Sequence, residues 1–204
     1  SMVTPVTAET FKRLNFNAGI LLHDFEFSAA TDAASLMALI INAETQQNCW
    51  FGATKGGINV QENKKYWSPT IDGLRMPFVG DKQVDTANPK ITGTLVEFTP
   101  ANLKALSGAA DSENGASANV KIVQPRLSIN PGDYFSNVVF VANNGADGLY
   151  VAELKNALSV TGVNSQSTDK DIGTLPFEFV GHSDSAVYTD DLPLTYYFFA
   201  AAVD

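Results

Sequence analysis

The sequence predicts a mainly β fold, a β-sandwich or barrel flanked by one or two short α-helices. Polar and glycine-rich punctuation arrives at short intervals, with brief apolar or alternating runs between, a spacing that suits sandwiches and barrels rather than βαβ units. Only 17% of the residues are charged, while Gly, Thr, Ser, Asn and Phe are plentiful, a composition of β-rich globular chains. A chain of 204 residues buries roughly 70% of its unfolded surface, enough for one sizeable core, so residues 1–204 read as one domain.

In chain order, strands are expected near Ala18–Phe25, at Trp50–Thr54 running into Ile58–Gln61, and at Ile91–Phe98, Val120–Pro125, Tyr134–Ala142, Leu149–Lys155, Leu158–Asn164, Ile172–Gly181 and Thr195–Ala201. Leu175, Phe177 and Phe179 alternate with Pro176, Glu178 and Val180, which puts an apolar row on one face. Tyr134–Ala142 is apolar on both faces for much of its length and belongs at the centre of the sheet. The run from Asn143 to Gly148 tolerates positive φ and predicts a hairpin, and Ser167 to Asp171 reads as a second hairpin tip.

Two segments have helical character. After Thr31-Asp32, apolar residues fall at Ala33, Leu36, Met37, Ile40 and Ile41 behind a plausible N-cap. Thr99-Pro100 then opens a short amphipathic stretch through Leu106, closed by Gly108. Each helix is expected to lie across an open face or edge of the β structure. Ala109–Ala118 has almost nothing to bury and reads as a mobile surface loop. Lys64–Pro89 is a long connection carrying Tyr66, Trp67, Met76 and Phe78, and a loop of that length in a compact domain is usually functional or disordered. Its aromatic content favours an ordered role in contact with something else.

Composition also excludes classes of function. One cysteine, Cys49, rules out an internal disulfide framework and a Cys-clustered zinc site, and it reads as a small buried apolar residue. The longest apolar runs, Leu36–Ile41 and Phe198–Val203, fall far short of a bilayer span. Ser1-Met2-Val3-Thr4-Pro5 lacks the basic and apolar regions of a signal peptide. With 22 acidic against 13 basic residues and a net charge of −9, the chain lacks the excess of Lys and Arg that gripping nucleic acid requires. That balance is compatible with a surface that nucleic acid slides past.

No catalytic, cofactor or metal motif stands out. The only histidines, His23 and His182, sit in no nucleophile context. Lys55-Gly56-Gly57 runs on into Ile58-Asn59-Val60, a strand pattern, and so reads as a turn rather than a phosphate cradle. Asp111-Ser112-Glu113-Asn114-Gly115 resembles half a calcium loop, but the distal glutamate is missing and Ile122 stands in its place. Trp50 and Trp67 are candidates for stacking on sugars, against the commoner role of Trp in a core or interface.

Several segments, taken in order, form a familiar set. They are Leu14-Asn15-Phe16-Asn17-Ala18-Gly19-Ile20-Leu21-Leu22-His23-Asp24-Phe25, Phe51-Gly52-Ala53-Thr54-Lys55-Gly56-Gly57, and Asp72-Gly73-Leu74-Arg75. After them come Leu95-Val96-Glu97-Phe98-Thr99-Pro100-Ala101-Asn102-Leu103-Lys104, Leu154-Lys155-Asn156-Ala157-Leu158, and Asp169-Lys170-Asp171 leading to Phe177-Glu178-Phe179-Val180-Gly181-His182. The set resembles the major tail (tail tube) proteins of long-tailed phages and prophages of Gram-positive bacteria, over about Asn15 to His182, by order and spacing rather than by any one segment.

The resemblance implies a structural subunit without catalysis or cofactor: a tail-tube-type β-sandwich with a flanking helix. Six copies would form a ring, and rings would stack into a tube that conducts DNA without binding it specifically. Its partners would be further copies of itself and other tail proteins such as the tape measure and an initiator, in a virion tail assembled in the bacterial cytoplasm. Under this reading the N-terminal arm (1–14), the long loop (64–89) and the C-terminal strand (192–204) supply the contacts between subunits. Tyr66, Trp67, Met76, Phe78, Tyr196 and Phe198 are the candidate interface residues. The alternative from another class is a carbohydrate-binding β-sandwich module of a surface or secreted protein, using Trp50 or Trp67.

Overall fold

The structure is a computed structural model that describes residues 19–43, 49–145, 147–168, 171–186 and 190–202. The expected N-terminal arm and the Asp169-Lys170 hairpin tip lie outside the described residues. Among the described residues the fold is mainly β with two short α-helices. In chain order the elements are β1 (Ile20–His23), α1 (Ala33–Asn42), β2 (Trp50–Ala53), β3 (Asn59–Gln61), β4 (Lys65–Trp67), β5 (Gln83–Thr86), β6 (Lys90–Leu95), α2 (Pro100–Ser107) and β7 (Ala110–Asn114). They continue with β8 (Lys121–Pro125), β9 (Phe135–Gly145), β10 (Gly148–Ser159), β11 (Gln166–Thr168), β12 (Asp171–Val180) and β13 (Leu194–Phe199).

Among the described residues every strand pairing is antiparallel, and the main path runs β2-β1-β9-β10-β12-β6-β3. The path closes on itself. Just past β2, Thr54 bridges to Leu95 at the end of β6, and the Lys55 N–H donates to the Thr94 carbonyl at 2.9 Å. The strands β2, β1, β9, β10, β12 and β6 therefore form a barrel. Its interior is filled by Leu21, Phe51, Ile91, Leu95, Val138, Phe140, Leu154, Leu175, Phe177 and Phe179, so the Leu175-Phe177-Phe179 row points inward as the alternation predicts. Closure satisfies backbone groups that an open sheet would leave exposed at its edges.

The opposite face of β1, β9 and β10 is also apolar. Ile20, Leu22, Val139, Val141, Leu149 and Val151 pack against Leu36 and Ile40 of α1. This explains the unbroken apolar run of β9: Val138 and Phe140 face the barrel, while Val139 and Val141 face the helix. The start of α1 is fixed by Asp32, whose carboxylate accepts from the Ser35 N–H at 2.7 Å while the Ser35 hydroxyl accepts from the Asp32 N–H. That reciprocal cap satisfies donors which would otherwise be orphaned at the first turn.

The second helix, α2, opens on Thr99 with proline in its first turn. It sends Ala105 and Leu106 into the barrel interior. Buried Asn102 donates to the carbonyls of Phe51 and Glu97 at 2.8 and 2.9 Å, and the Ser159 hydroxyl donates to the Leu106 carbonyl at 2.7 Å. The helix is thereby tied to both β2 and β10. Gly108 ends it at φ +74, where an added Cβ would lie 2.6 Å from the Ser159 carbonyl oxygen. Glycine is required there by backbone conformation and by close approach together.

Three sequence expectations need correction. Leu149–Lys155 and Leu158–Asn164 are not two strands: β10 runs unbroken to Ser159 and residues 160–164 lie outside it. The interruption felt in the sequence is Asn156, held at φ +47 by its side-chain bond to the His182 carbonyl at 3.0 Å. Here β10 changes partner, pairing with β13 over Leu149–Leu154 and with β12 at Leu158 and Ser159. Ala109–Ala118 is not a structureless loop, because β7 pairs with β8 from Ala110↔Pro125 to Asn114↔Lys121. Lys64–Pro89 likewise contains a hairpin, β4 with β5. The Asn143–Gly148 turn joins β9 to β10 as expected.

Candidate functional site

Both histidine side chains have partners among the described residues. The ring of His23 lies between Phe51 and Phe135, with centroids 4.7 and 4.6 Å away. Its Nδ1 is 3.0 Å from Asp24 Oδ2. The other Asp24 oxygen accepts from the Ser136 N–H and hydroxyl at 2.7 and 2.8 Å. Serine and histidine thus both bond the carboxylate rather than each other, whereas nucleophile activation needs the hydroxyl to donate to the imidazole. Burial alone would raise the Asp24 carboxyl, but the bonds from His23 and Ser136 together outweigh it and hold the group below its ordinary value. His182 is engaged with Asn156, its Nδ1 lying 2.9 Å from the Asn156 carbonyl.

Asp111 and Glu113 lie along β7 rather than curling around a centre, and Asp111 pairs with Arg126 at 2.9 Å. Among the described residues no group of three or more His, Cys, Asp or Glu side chains is placed to hold a metal ion. Cys49 is buried, and burial with the nearby Asp24 charge pushes its thiol up. Trp50 is half-buried and its indole N–H donates to the Ile40 carbonyl at 3.1 Å, so it serves the packing of α1. Trp67, by contrast, is 53% exposed.

All six candidate interface residues are exposed. Tyr66 and Trp67 stand on β4, while Met76 (78% exposed) and Phe78 lie in the segment between β4 and β5, accompanied there by Ile71, Leu74 and Val79 and on β5 by Val84. This hairpin forms an apolar arm whose side chains find little cover in their own chain. Tyr196 and Phe198 project from β13 on one face, with Phe198 69% exposed. They lean on Tyr150, at centroid distances of 6.2 and 5.5 Å.

The two groups are linked near the base of the arm, where the Tyr196 hydroxyl donates to Glu62 at 3.2 Å. Burial, and after it the Glu62 charge, pushes the Tyr196 phenol up to about 12. Among the described residues β13 pairs only with β10, so no second described strand lies on its other edge.

Sequence reasoning expected the strand at Val120–Pro125 but not the arm that it builds with β7. The β7–β8 hairpin and the segment after it expose Val120, Ile122, Leu127 and Ile129. Arg126 anchors this arm through ion pairs with Asp111 and with Asp133 at 2.6 Å. The alternation of Val120, Ile122 and Gln124 with Lys121 and Val123 was the available signal, but its partner strand is polar and reads as a loop. A half-buried carboxylate in a mostly apolar strand was also missed. Glu153 stands between Ala152 and Leu154 of β10, accepting from the Asn137 amide at 2.9 Å and the Tyr197 hydroxyl at 3.3 Å.

Taken together, the arrangement offers two apolar arms, an aromatic strand with one edge that no described strand covers, and no assembled nucleophile or metal cluster among the described residues. No protein-family model matches the chain, and no curated protein matches it in sequence.

Proposed function

We propose that this chain is a structural subunit of a phage or prophage tail tube, assembling with copies of itself into hexameric rings that stack around a DNA-conducting channel. The observation that supports it best is the uncovered apolar surface of the β4–β5 arm and β13, carrying Tyr66, Trp67, Met76, Phe78, Tyr196 and Phe198. Contiguous apolar surface of this kind marks a site of protein contact, and the resemblance of the sequence segments, in order and spacing, to tail tube proteins supports further copies of this chain as the partner. A ring needs one heterologous contact that closes by rotation, and a tube needs a second that propagates. Two projecting arms and the edge of β13 that no described strand covers provide distinct surfaces for both.

The acidic balance fits the same role. At −9 per chain a ring is strongly negative, and DNA passing through it meets little attraction. Tape measure and initiator proteins complete the set of partners, in a virion tail assembled in the host cytoplasm.

Negative-stain electron microscopy of concentrated protein tests the reading directly. Six-fold rings or hollow tubes are expected. A uniformly monomeric protein that also fails to assemble when seeded with tube ends removes the proposal. The carbohydrate-binding alternative rests on exposed Trp67 beside Tyr66. It predicts saturable glycan binding that Trp67→Ala abolishes.

A further inference from the structure

The segment after β1 folds back over the helix-facing side of β10 and β13 and leaves a groove of about 410 Å³. Its walls are aromatic. Phe27 meets Tyr197 edge-on at 5.0 Å and Phe199 at 6.4 Å, and Tyr197 stacks with Phe199 at 6.4 Å. Two carboxylates, Glu26 and Glu153, line the same groove, and among the described residues no basic side chain does.

Glu153 is held in place rather than free to turn. The buried Asn137 amide donates to Glu153 Oε2 and to the Phe25 carbonyl, both at 2.9 Å, while Asn137 Oδ1 accepts from the Phe25 N–H at 2.9 Å. One buried side chain thus fixes both the aromatic segment and the carboxylate. The partners of Glu153 are neutral, an amide and a phenol, and Glu153 enters none of the ion pairs among the described residues. A half-buried anion met only by neutral donors leaves charge uncompensated, and aromatic faces attract cations through the ring quadrupole. A single fixed carboxylate with aromatic walls is a poor metal site, since hard cations need several oxygen ligands. It does suit a cation with an apolar periphery.

We propose that this groove binds an organic cation, an alkylammonium or guanidinium group seated among Phe27, Tyr197 and Phe199 and neutralised by Glu153. The group could be carried by a free small molecule or by a basic side chain of a second copy of this chain. The chemistry of recognition is the same in both.

The test is an amide-resolved NMR titration of the full chain with n-butylammonium, ethylguanidinium and tetramethylammonium chlorides, against sodium chloride at matched ionic strength. Saturable shifts at Phe27, Glu153 and Tyr197 are expected, weakened at least about tenfold in Glu153→Gln. Phe199→Leu, which keeps an apolar side chain in the core, should weaken binding while leaving the rest of the spectrum in place. Preference for butylammonium or ethylguanidinium identifies a Lys or Arg side chain as the natural occupant, and preference for tetramethylammonium identifies a free quaternary cation. Shifts no larger than those from sodium chloride overturn the proposal, as do shifts unchanged in Glu153→Gln. Saturable binding of methyl glucoside with no response to any cation overturns it too.

Discussion

Thr54 faces Leu95 across an isolated antiparallel bridge, and this contact turns a path of strands into a barrel. The adjoining bond from the Lys55 N–H to the Thr94 carbonyl is made by a residue whose side chain is exposed. Lys55→Pro removes this donor, and its ring also restricts the backbone of Thr54 before it, so the substitution acts on the closure itself. A loss of about 1–3 kcal/mol is expected in urea unfolding, with the amides of β2 and β6 exchanging faster than those of β9. Equal protection in the variant and the parent would mean that closure contributes nothing to stability.

Asn102 is 3% exposed and its amide supplies donors to two main-chain carbonyls. Asn102→Ala strands both acceptors and severs the link between α2 and β2. We expect about 2–4 kcal/mol of destabilisation by chemical denaturation, well above the roughly 1 kcal/mol expected for removing the Thr99 cap alone.

The Asp24 carboxyl is held below its ordinary value of 3.8. A group lowered on folding contributes stability that is fully present above its unfolded value and is lost as pH falls through the folded one. The parent should thus lose stability as the pH drops below about 4, and Asp24→Asn should show a shallower decline over that window. Asparagine tolerates the φ of +49 found here, so the variant tests the charge rather than the backbone. Parallel acid-denaturation curves would refute the assignment.

Trp67→Ala and Met76→Ala remove side chains that are mostly in solvent. Unfolding free energies should stay within about 0.5 kcal/mol of the parent, while the rings or tubes expected of the parent under the proposed function should be absent or greatly reduced. A large fall in monomer stability instead would place these residues in the fold rather than in assembly.

The parts of the fold legible in the sequence are those whose signal is local. Leu175, Phe177 and Phe179 alternate because one face of β12 is buried, and Asp32 and Thr99 cap helices through bonds three residues along the chain. What stayed hidden depends on distant partners. Asp111 to Asn114 form a strand because β8 supplies the ladder. Asn156 reads as a break, yet His182 holds it within β10. The exposed aromatic residues of the arm were legible because nothing in Lys64–Pro89 suggests a core to bury them. Glu153 was legible in principle, as a lone charge between Ala152 and Leu154, but its meaning depends on Phe27 and Tyr197 arriving from elsewhere in the chain.

The pairing of β1 with β9 sets a timetable for synthesis. Ile20 lies opposite Val141, and the Phe25–Asn137 bonds join residues 112 positions apart. At translation rates of 5–20 residues per second, Leu21 and Leu22 wait on the order of ten seconds before their partners leave the ribosome. During that interval the apolar run Ile20-Leu21-Leu22 has only β2 as a strand partner. The β9–β10 hairpin can zip locally as soon as it emerges, and β1 then docks onto a preformed edge. A nascent chain stalled before residue 135 should accordingly be held by chaperones, and one stalled after the exit of Ser159 should release them.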